Sequence, residues 1–132
     1  MFSLLAGVLA FSTAAQAQST GDGEVIIVKM IDKSTAEWRF EPSDITVQPG
    51  DVIQFVQEDV MPHNVEFTSV PKGAELGDKK FGPFLIANGD VYELVIDARF
   101  LKGVYDFVCT PHATLGMTGT LTVADSRITN TR

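Results

Sequence analysis

The chain has too few cysteines to build a disulfide framework. Cys109 is the single cysteine among 132 residues, so no internal disulfide can form. In an oxidising compartment an unpaired thiol is reactive unless it is buried or bound to something. The presence of Cys109 therefore needs a structural or chemical explanation.

Basic residues are also scarce. The chain has 10 Lys and Arg against 17 Asp and Glu, which gives a formal net charge of −7 and a pI near 4.6. Nucleic acid requires a basic protein face to meet its phosphates. The charge balance therefore argues against nucleic-acid binding and favours basic partners.

Long hydrophobic runs are absent after the N-terminus. The apolar run from Phe2 to about Phe11 is too short to span a bilayer, and small residues with an Ala-x-Ala pattern at 15–17 follow it. We expect residues 1–17 to be a secretory signal peptide, although no Lys or Arg precedes Lys29 where a basic segment is usual. A displaced start or an atypical signal would explain the missing basic segment. The alternative to a signal peptide is a disordered or core-packed N-terminus. The prediction is an exported, periplasmic protein with one domain over 18–132 and no transmembrane segment.

Short runs rich in Val, Ile, Phe and Thr follow Gly23 and are separated by Gly, Pro, Asp and Asn, a pattern typical of β-strands. The predicted strands are Glu24–Ile31, Asp44–Val47, Val52–Gln57, Asn64–Phe67, Val91–Ile96, Val104–Cys109 and Thr118–Ala124. With few helical signals, they predict an all-β fold, a Greek-key β-sandwich of about seven or eight strands.

Strand periodicity indicates where the cysteine points. In the segment GVYDFVC, alternation places Tyr105, Phe107 and Cys109 on one face of the strand. Asp106 lies on the other face and prefers water. Cys109 is therefore expected to face the core, with its sulfur at the end of a strand where the next loop begins.

Four side chains are candidate metal ligands. Cys109, His112 and Met117 have the spacing C-x2-H-x4-M and could surround one ion from a single turn. His63 supplies the other imidazole of the chain, at the start of a predicted strand that a sandwich could bring to the same end. Taken singly, a buried Cys, a surface His or a core Met is more often ordinary than a ligand. Their combination in a chain with no other Cys or His favours a metal site.

The chemistry of these donors favours copper. Thiolate and thioether together suit copper, whereas zinc prefers Cys, His and carboxylate ligands. A plane of two His and one Cys with a weak axial Met is the arrangement of electron-transfer copper sites. Because such a site is a compromise between the preferences of Cu(I) and Cu(II), little needs to rearrange when an electron is transferred.

Two stretches resemble the plastocyanin/pseudoazurin branch of the cupredoxins, the small type 1 (blue) copper proteins: FEPSDITVQPGDVIQFVQEDVMPHNVEF and GVYDFVCTPHATLGMTGTLTV. The match runs from about Phe40 to Val123 and is least familiar at 68–80. The resemblance implies a soluble electron-transfer protein with one Cu(I)/Cu(II) ion per chain. It also implies a ligand set, which is His63, Cys109, His112 and Met117.

The resemblance assigns further roles around the ligands. Asn64 matches a residue whose amide ties the His63 strand to the backbone near Thr110, and Pro111 removes an N–H donor and stiffens the loop. Electrons are expected to enter and leave through His112, which in the family reaches the surface through an apolar patch. The candidate patch residues, for which edge-of-core packing is the alternative, are Met61, Pro62, Pro83, Phe84, Ala113, Leu115 and Gly116.

One position departs from the plastocyanin pattern. Plastocyanins carry an aromatic residue immediately before the ligand cysteine, as part of a second electron path with flanking acidic patches. Val108 stands there in this chain. The path through His112 is therefore the one that the sequence supports.

Other classes of function fit the sequence less well. An enzyme with Cys109 as nucleophile would lack a third orienting group and an oxyanion site, so no catalytic residue is predicted. A multicopper oxidase needs many histidines, and a binuclear copper centre needs two bridging cysteines. The alternative that stays open is a copper carrier or storage protein using the same four ligands.

The expected partners of this monomer are redox proteins, such as a basic cytochrome c or a copper- or haem-containing oxidoreductase. Acidic side chains that could steer a basic partner, or simply form a solvated charged face, are Glu58, Asp59, Glu66, Glu75 and Asp78.

Overall fold

A computed structural model of the chain describes residues 23–34 and 36–127. The expected signal peptide, residues 1–17, lies outside the described residues. Within the described ranges, no helix is both long enough and apolar enough to cross a membrane.

The strands form two sheets of four. The chain order is β1 (Val25–Ile31), β2 (Arg39–Glu41), β3 (Asp44–Val47), β4 (Val52–Gln57), β5 (Glu66–Ser69), β6 (Val91–Val95), β7 (Gly103–Val108) and β8 (Thr118–Val123). One sheet has the order β2-β1-β4-β6 and the other has the order β3-β8-β7-β5. Two 3₁₀ helices, Gly77–Lys80 and Thr110–Leu115, lie in the connections. The predicted Greek-key β-sandwich is confirmed.

The core forms where the inward faces of the two sheets meet. Strand alternation buries Ile53 and Phe55 on β4, and Tyr105 and Phe107 on β7. The Phe107 ring lies 5.9 Å from the Phe55 ring across the sandwich, in edge-to-face geometry. Burial of each large apolar side chain contributes roughly 1.5–3 kcal/mol, so this interleaved aromatic layer gives the site a rigid support.

Two features of the strand prediction were wrong. The short strand β2 was not predicted, and β5 begins at Glu66 rather than at Asn64. The delay has a local cause, because His63 instead forms an isolated bridge with Leu85, whose N–H donates to the His63 carbonyl over 2.8 Å. The chain therefore joins the β7 ladder only after it has passed the site.

The topology brings three connections to one end of the sandwich. Because β1 and β4 are parallel, the connections that follow Ile31 and Gln57 leave from the same end of that sheet. Strand β7 is antiparallel to β8, with Val108 opposite Thr118. The loop between them lies at that end as well, because Asn64, in the connection after β4, hydrogen-bonds to Thr110 in the loop. The candidate ligands lie in two of these connections, His63 in the one after β4 and the other three in the one after β7.

Candidate metal centre

Three of the four predicted ligands converge on one point. The distance from His63 Nδ1 to His112 Nδ1 is 3.1 Å, and Cys109 Sγ lies 3.5 Å from the first nitrogen and 3.4 Å from the second. All three residues are buried, and their donor atoms lie within 4.8 Å of one another. Among the described His, Cys, Asp and Glu residues, this is the one group of three or more placed to hold an ion.

The size of this triangle suits a metal ion. Its three sides define a circle with a radius of about 1.9 Å, close to the ~2.0–2.3 Å typical of metal–nitrogen and metal–sulfur bonds. Two imidazole nitrogens and one sulfur are soft or borderline donors of the kind that copper prefers. The residues present therefore fit a single copper ion.

Met117 is fully buried and closes the loop that carries Cys109 and His112. The Cys109 N–H donates to the Met117 carbonyl over 3.0 Å, and the Met117 N–H donates to the His112 carbonyl over 3.2 Å. Gly116 ends the 3₁₀ helix with a φ of 91°, in the left-handed region that favours glycine. The backbone thus fixes the positions from which these three side chains project.

Burial affects the imidazoles and the thiol of the site in opposite ways. It lowers the pKa of His63, and the neighbouring His112 imidazole lowers it further, against the opposing charge of Asp32. Burial also lowers the pKa of His112, so both rings are held in the neutral form. Burial raises the pKa of the Cys109 thiol, so that binding a metal as thiolate requires loss of a proton.

The predicted link through Asn64 is present. Its side-chain amide donates to Thr110 Oγ1 over 2.9 Å, and its carbonyl oxygen accepts the Thr110 N–H over 2.8 Å. The backbone N–H groups of Asn64 and His112 are directed at the Cys109 sulfur, which opposes the rise in the thiol pKa. Asn64 therefore joins the two ligand-bearing segments and helps to orient the thiol.

Trp38 was missed by the sequence analysis. Its ring stacks on His112 with the centroids 4.0 Å apart and the planes 29° apart. His112 is only 6% exposed, so it lies beneath the indole rather than open to solvent. The one signal in the sequence was that this is the single tryptophan of the chain, two residues before the Phe40 motif.

Asp32 was missed as well. It follows β1, its side chain is 3% exposed, and its Oδ2 lies 3.2 Å from His63 Nε2. The same oxygen accepts the Met61 N–H over 2.8 Å. A carboxylate just past a strand end carries little signal in a sequence, because its position depends on how β1 pairs with β4.

Part of the predicted apolar patch is exposed. Leu115, Phe84 and Met61 are exposed apolar side chains. Four of the predicted steering residues have partners within the molecule. Asp59 accepts the Asp32 N–H, and Asp78 pairs with Arg99 over 2.6 Å. Glu58 pairs with Lys29 over 3.5 Å, and Glu66 accepts from the Thr110 hydroxyl over 2.9 Å.

A Greek-key sandwich that can hold one copper ion between two buried imidazoles and a buried thiol at its end is a cupredoxin. Comparison with known proteins leads to the same class. Residues 11–124 match the model of the copper-binding proteins of the plastocyanin/azurin family. Plastocyanin of Prochlorothrix hollandica is 35% identical over 120 residues, which cover 91% of this chain and 85% of that protein.

Solved structures agree. Oxidised plastocyanin of Dryopteris crassirhizoma superposes with a TM-score of 0.57 at 27% identity, covering 74% of this chain and 99% of that one. Pseudoazurin of Methylobacterium extorquens AM1 gives a TM-score of 0.58 at 29% identity, covering 80% and 79% of the two chains. The chain belongs to the plastocyanin/azurin family of copper-binding proteins, and it is a copper electron-transfer protein.

Proposed function

We propose that this protein carries single electrons on one copper ion bound by His63, Cys109, His112 and Met117. The observation that carries the proposal is the convergence of two imidazole nitrogens and one thiol sulfur within 3.5 Å of one another. Copper supplies a one-electron couple when it is bound there. The chain's own contribution is to hold the donors in place and to exclude water, which keeps reorganisation small when the charge of the site changes. No residue is assigned a catalytic role.

The proposed route for electrons leads through His112. It is the candidate ligand beside exposed apolar side chains, with Leu115 at 53% exposure three residues further on. Trp38 stacks on the His112 ring, so the conjugated surface extends beyond the imidazole. An apolar rim around a buried redox centre suits brief docking, because it excludes water without requiring tight ion pairs.

The proposed setting is the periplasm, after removal of residues 1–17. The proposed partners are other redox proteins, including a basic cytochrome c or a copper- or haem-containing oxidoreductase. The protein is proposed to act as a monomer. The net charge of −7 supports a basic partner, whose association rate would fall as salt is raised.

Visible spectroscopy tests the copper site. The oxidised, copper-loaded protein should show an intense thiolate-to-Cu(II) charge-transfer band that disappears on reduction and in Cys109→Ser. Met117→Leu should shift the band and the potential, whereas Met61→Leu, an exposed methionine, serves as the matched control and should leave both unchanged. A colourless protein that retains only Cu(I) would instead support a copper carrier or storage protein.

Electron-exchange kinetics test the docking surface. Leu115→Lys should slow electron transfer to a basic cytochrome c by about tenfold or more, with the charge-transfer band unchanged, because it places a charge in the apolar rim and repels the basic partner. Leu101→Lys is the control, since it adds the same charge at a side chain that is 42% exposed in the connection leading into the opposite end of β7. Equal rates in the two variants would contradict docking at His112.

A further inference from the structure

The Asp32 carboxylate is buried beside the ring of a candidate ligand. Its side chain is 3% exposed, and Oδ2 meets two groups of the neighbouring connection, the Met61 N–H at 2.8 Å and His63 Nε2 at 3.2 Å. A carboxylate at this depth is unfavourable unless polar or positive groups compensate it. Asp32 contacts the Nε2 side of the His63 ring, opposite the Nδ1 side that faces Cys109 and His112.

The two nitrogens of His63 have different surroundings. Nδ1 faces the donor group, 3.1 Å from the equivalent atom of His112. Nε2 is buried and makes no well-aligned hydrogen bond among the described residues, although the Asp32 oxygen lies at ion-pair distance from it. If Nδ1 binds a metal through its lone pair, the ring proton must be on Nε2, and a buried N–H needs an acceptor.

The charge of Asp32 also bears on the redox couple. A thiolate and one carboxylate together offset the charge of Cu(II), whereas they leave an excess negative charge with Cu(I). In a buried site such an imbalance is unfavourable, because little solvent is present to screen it. The carboxylate therefore stabilises the oxidised form relative to the reduced one.

We propose that Asp32 is the positioning residue of the copper site, holding the His63 proton on Nε2 and lowering the reduction potential. The inference rests on the proposed ligand set. A purely structural reading, in which Asp32 only accepts the Met61 N–H, predicts no change in potential when its charge is removed. Measuring the reduction potential therefore distinguishes the proposed role of Asp32 from a purely structural one.

The test compares two charge-removing variants by electrochemistry. Asp32→Asn keeps an oxygen to accept the Met61 N–H but removes the charge beside His63. Glu66→Gln is the matched control, because it also removes a carboxylate charge near the site, and Glu66 accepts from the Thr110 hydroxyl over 2.9 Å on the other ligand segment rather than facing the His63 ring. We expect Asp32→Asn to raise the potential by more than Glu66→Gln does. A tenfold change in the relative affinity for the two oxidation states corresponds to about 59 mV.

A second measurement uses the unsubstituted protein and needs no variant to fold. In ¹⁵N NMR of the Cu(I)-loaded protein, the His63 proton should be found on Nε2 and should exchange slowly with water, as expected for a buried N–H that donates to a carboxylate. Rapid exchange of that proton, or equal potentials in the two variants, would overturn the role of Asp32. Failure of the proposed function would look different, because the unsubstituted protein would then lack the charge-transfer band.

Discussion

At the scale of single residues, the indole of Trp38 decides how far His112 meets water. Stacking at 4.0 Å covers one face of the imidazole, and burial lowers the pKa of His112 below its ordinary value of 6.5. Burial disfavours the charged imidazolium, and the indole supplies part of that burial. The exposed fraction of His112 is therefore set by a residue distant from the ligand loop in sequence.

Replacing Trp38 tests this relation. In the copper-free protein, Trp38→Leu should raise the pKa of His112 toward its ordinary value, because water then reaches the ring and stabilises the imidazolium. An NMR titration of the His112 ring protons measures the shift. Trp38→Phe retains an aromatic stack and should change the pKa much less; a pKa that stays constant or falls in Trp38→Leu would contradict the argument.

Residue positions differed in how far the sequence could predict them. Burial of Cys109 followed from strand alternation, because Asp106 fixed which face meets water. Asp32 and Trp38 could not be found in this way. Both lie in the connection between β1 and β2, where no periodicity indicates the direction of a side chain. Their contacts with His63 and His112 are long-range and form only in the folded protein.

At the scale of elements, the site depends on a link between two connections. Asn64 precedes β5, Thr110 follows β7, and the two hydrogen bonds between them tie these connections together at 2.8 and 2.9 Å. Asn64 is fully buried, so its bonds are shielded from competing water. The relative placement of His63 and Cys109 therefore depends on a residue that binds no metal.

Removing the link should lower the stability of the copper-free protein. Asn64→Ala is expected to reduce the free energy of unfolding by about 1–3 kcal/mol, because it deletes two hydrogen bonds and leaves polar partners behind. Denaturant unfolding measures the change. Gln54→Ala removes a side-chain hydrogen bond to Glu93 on the exposed face of the first sheet and should cost about 0.5 kcal/mol or less. Similar losses of unfolding free energy in both variants would show that the buried hydrogen bonds of Asn64 stabilise the protein no more than an exposed one.

Strand prediction succeeded where burial on one face was regular and failed where it was not. The alternation in β4 and β7 marked both strands. Strand β2 has only three residues, too few to show a period, and its pairing with β1 stabilises it. The late start of β5 depends on the bridge between His63 and Leu85, a long-range contact that local patterns do not encode.

At the scale of the whole molecule, Asp51 joins the two ends of the described chain. Its carboxylate accepts the N–H groups of Glu24 and Gln48 and meets the Arg127 guanidinium at 2.8 Å. Burial by itself would raise the pKa of Asp51, but these hydrogen bonds outweigh it and the pKa is lowered. The ionised form therefore contributes to the stability of the fold.

The sign of this shift gives the pH dependence. A carboxyl whose pKa is lower in the folded protein stabilises it above the unfolded value, near 3.8, and the contribution is lost as the pH falls through the folded value. Asp51→Asn should lower the free energy of unfolding at neutral pH by roughly 1–3 kcal/mol and should flatten the loss of stability below pH 3.8. Urea unfolding at several pH values measures both effects. Asp44→Asn, at an exposed strand position, is the control, and an unchanged acid slope in Asp51→Asn would refute the assignment.

The separation of the candidate ligands along the chain sets an order of events in the life of the protein. His63 and Cys109 are 46 positions apart, and their donor atoms meet only after β5 has paired with β7. Cys109, His112 and Met117 are close in sequence, but the site is complete only when β5 has paired with β7 and His63 has joined them. Because the sheets pair and pack largely through residues other than the ligands, we expect the copper-free chain to fold first and to bind the metal afterwards.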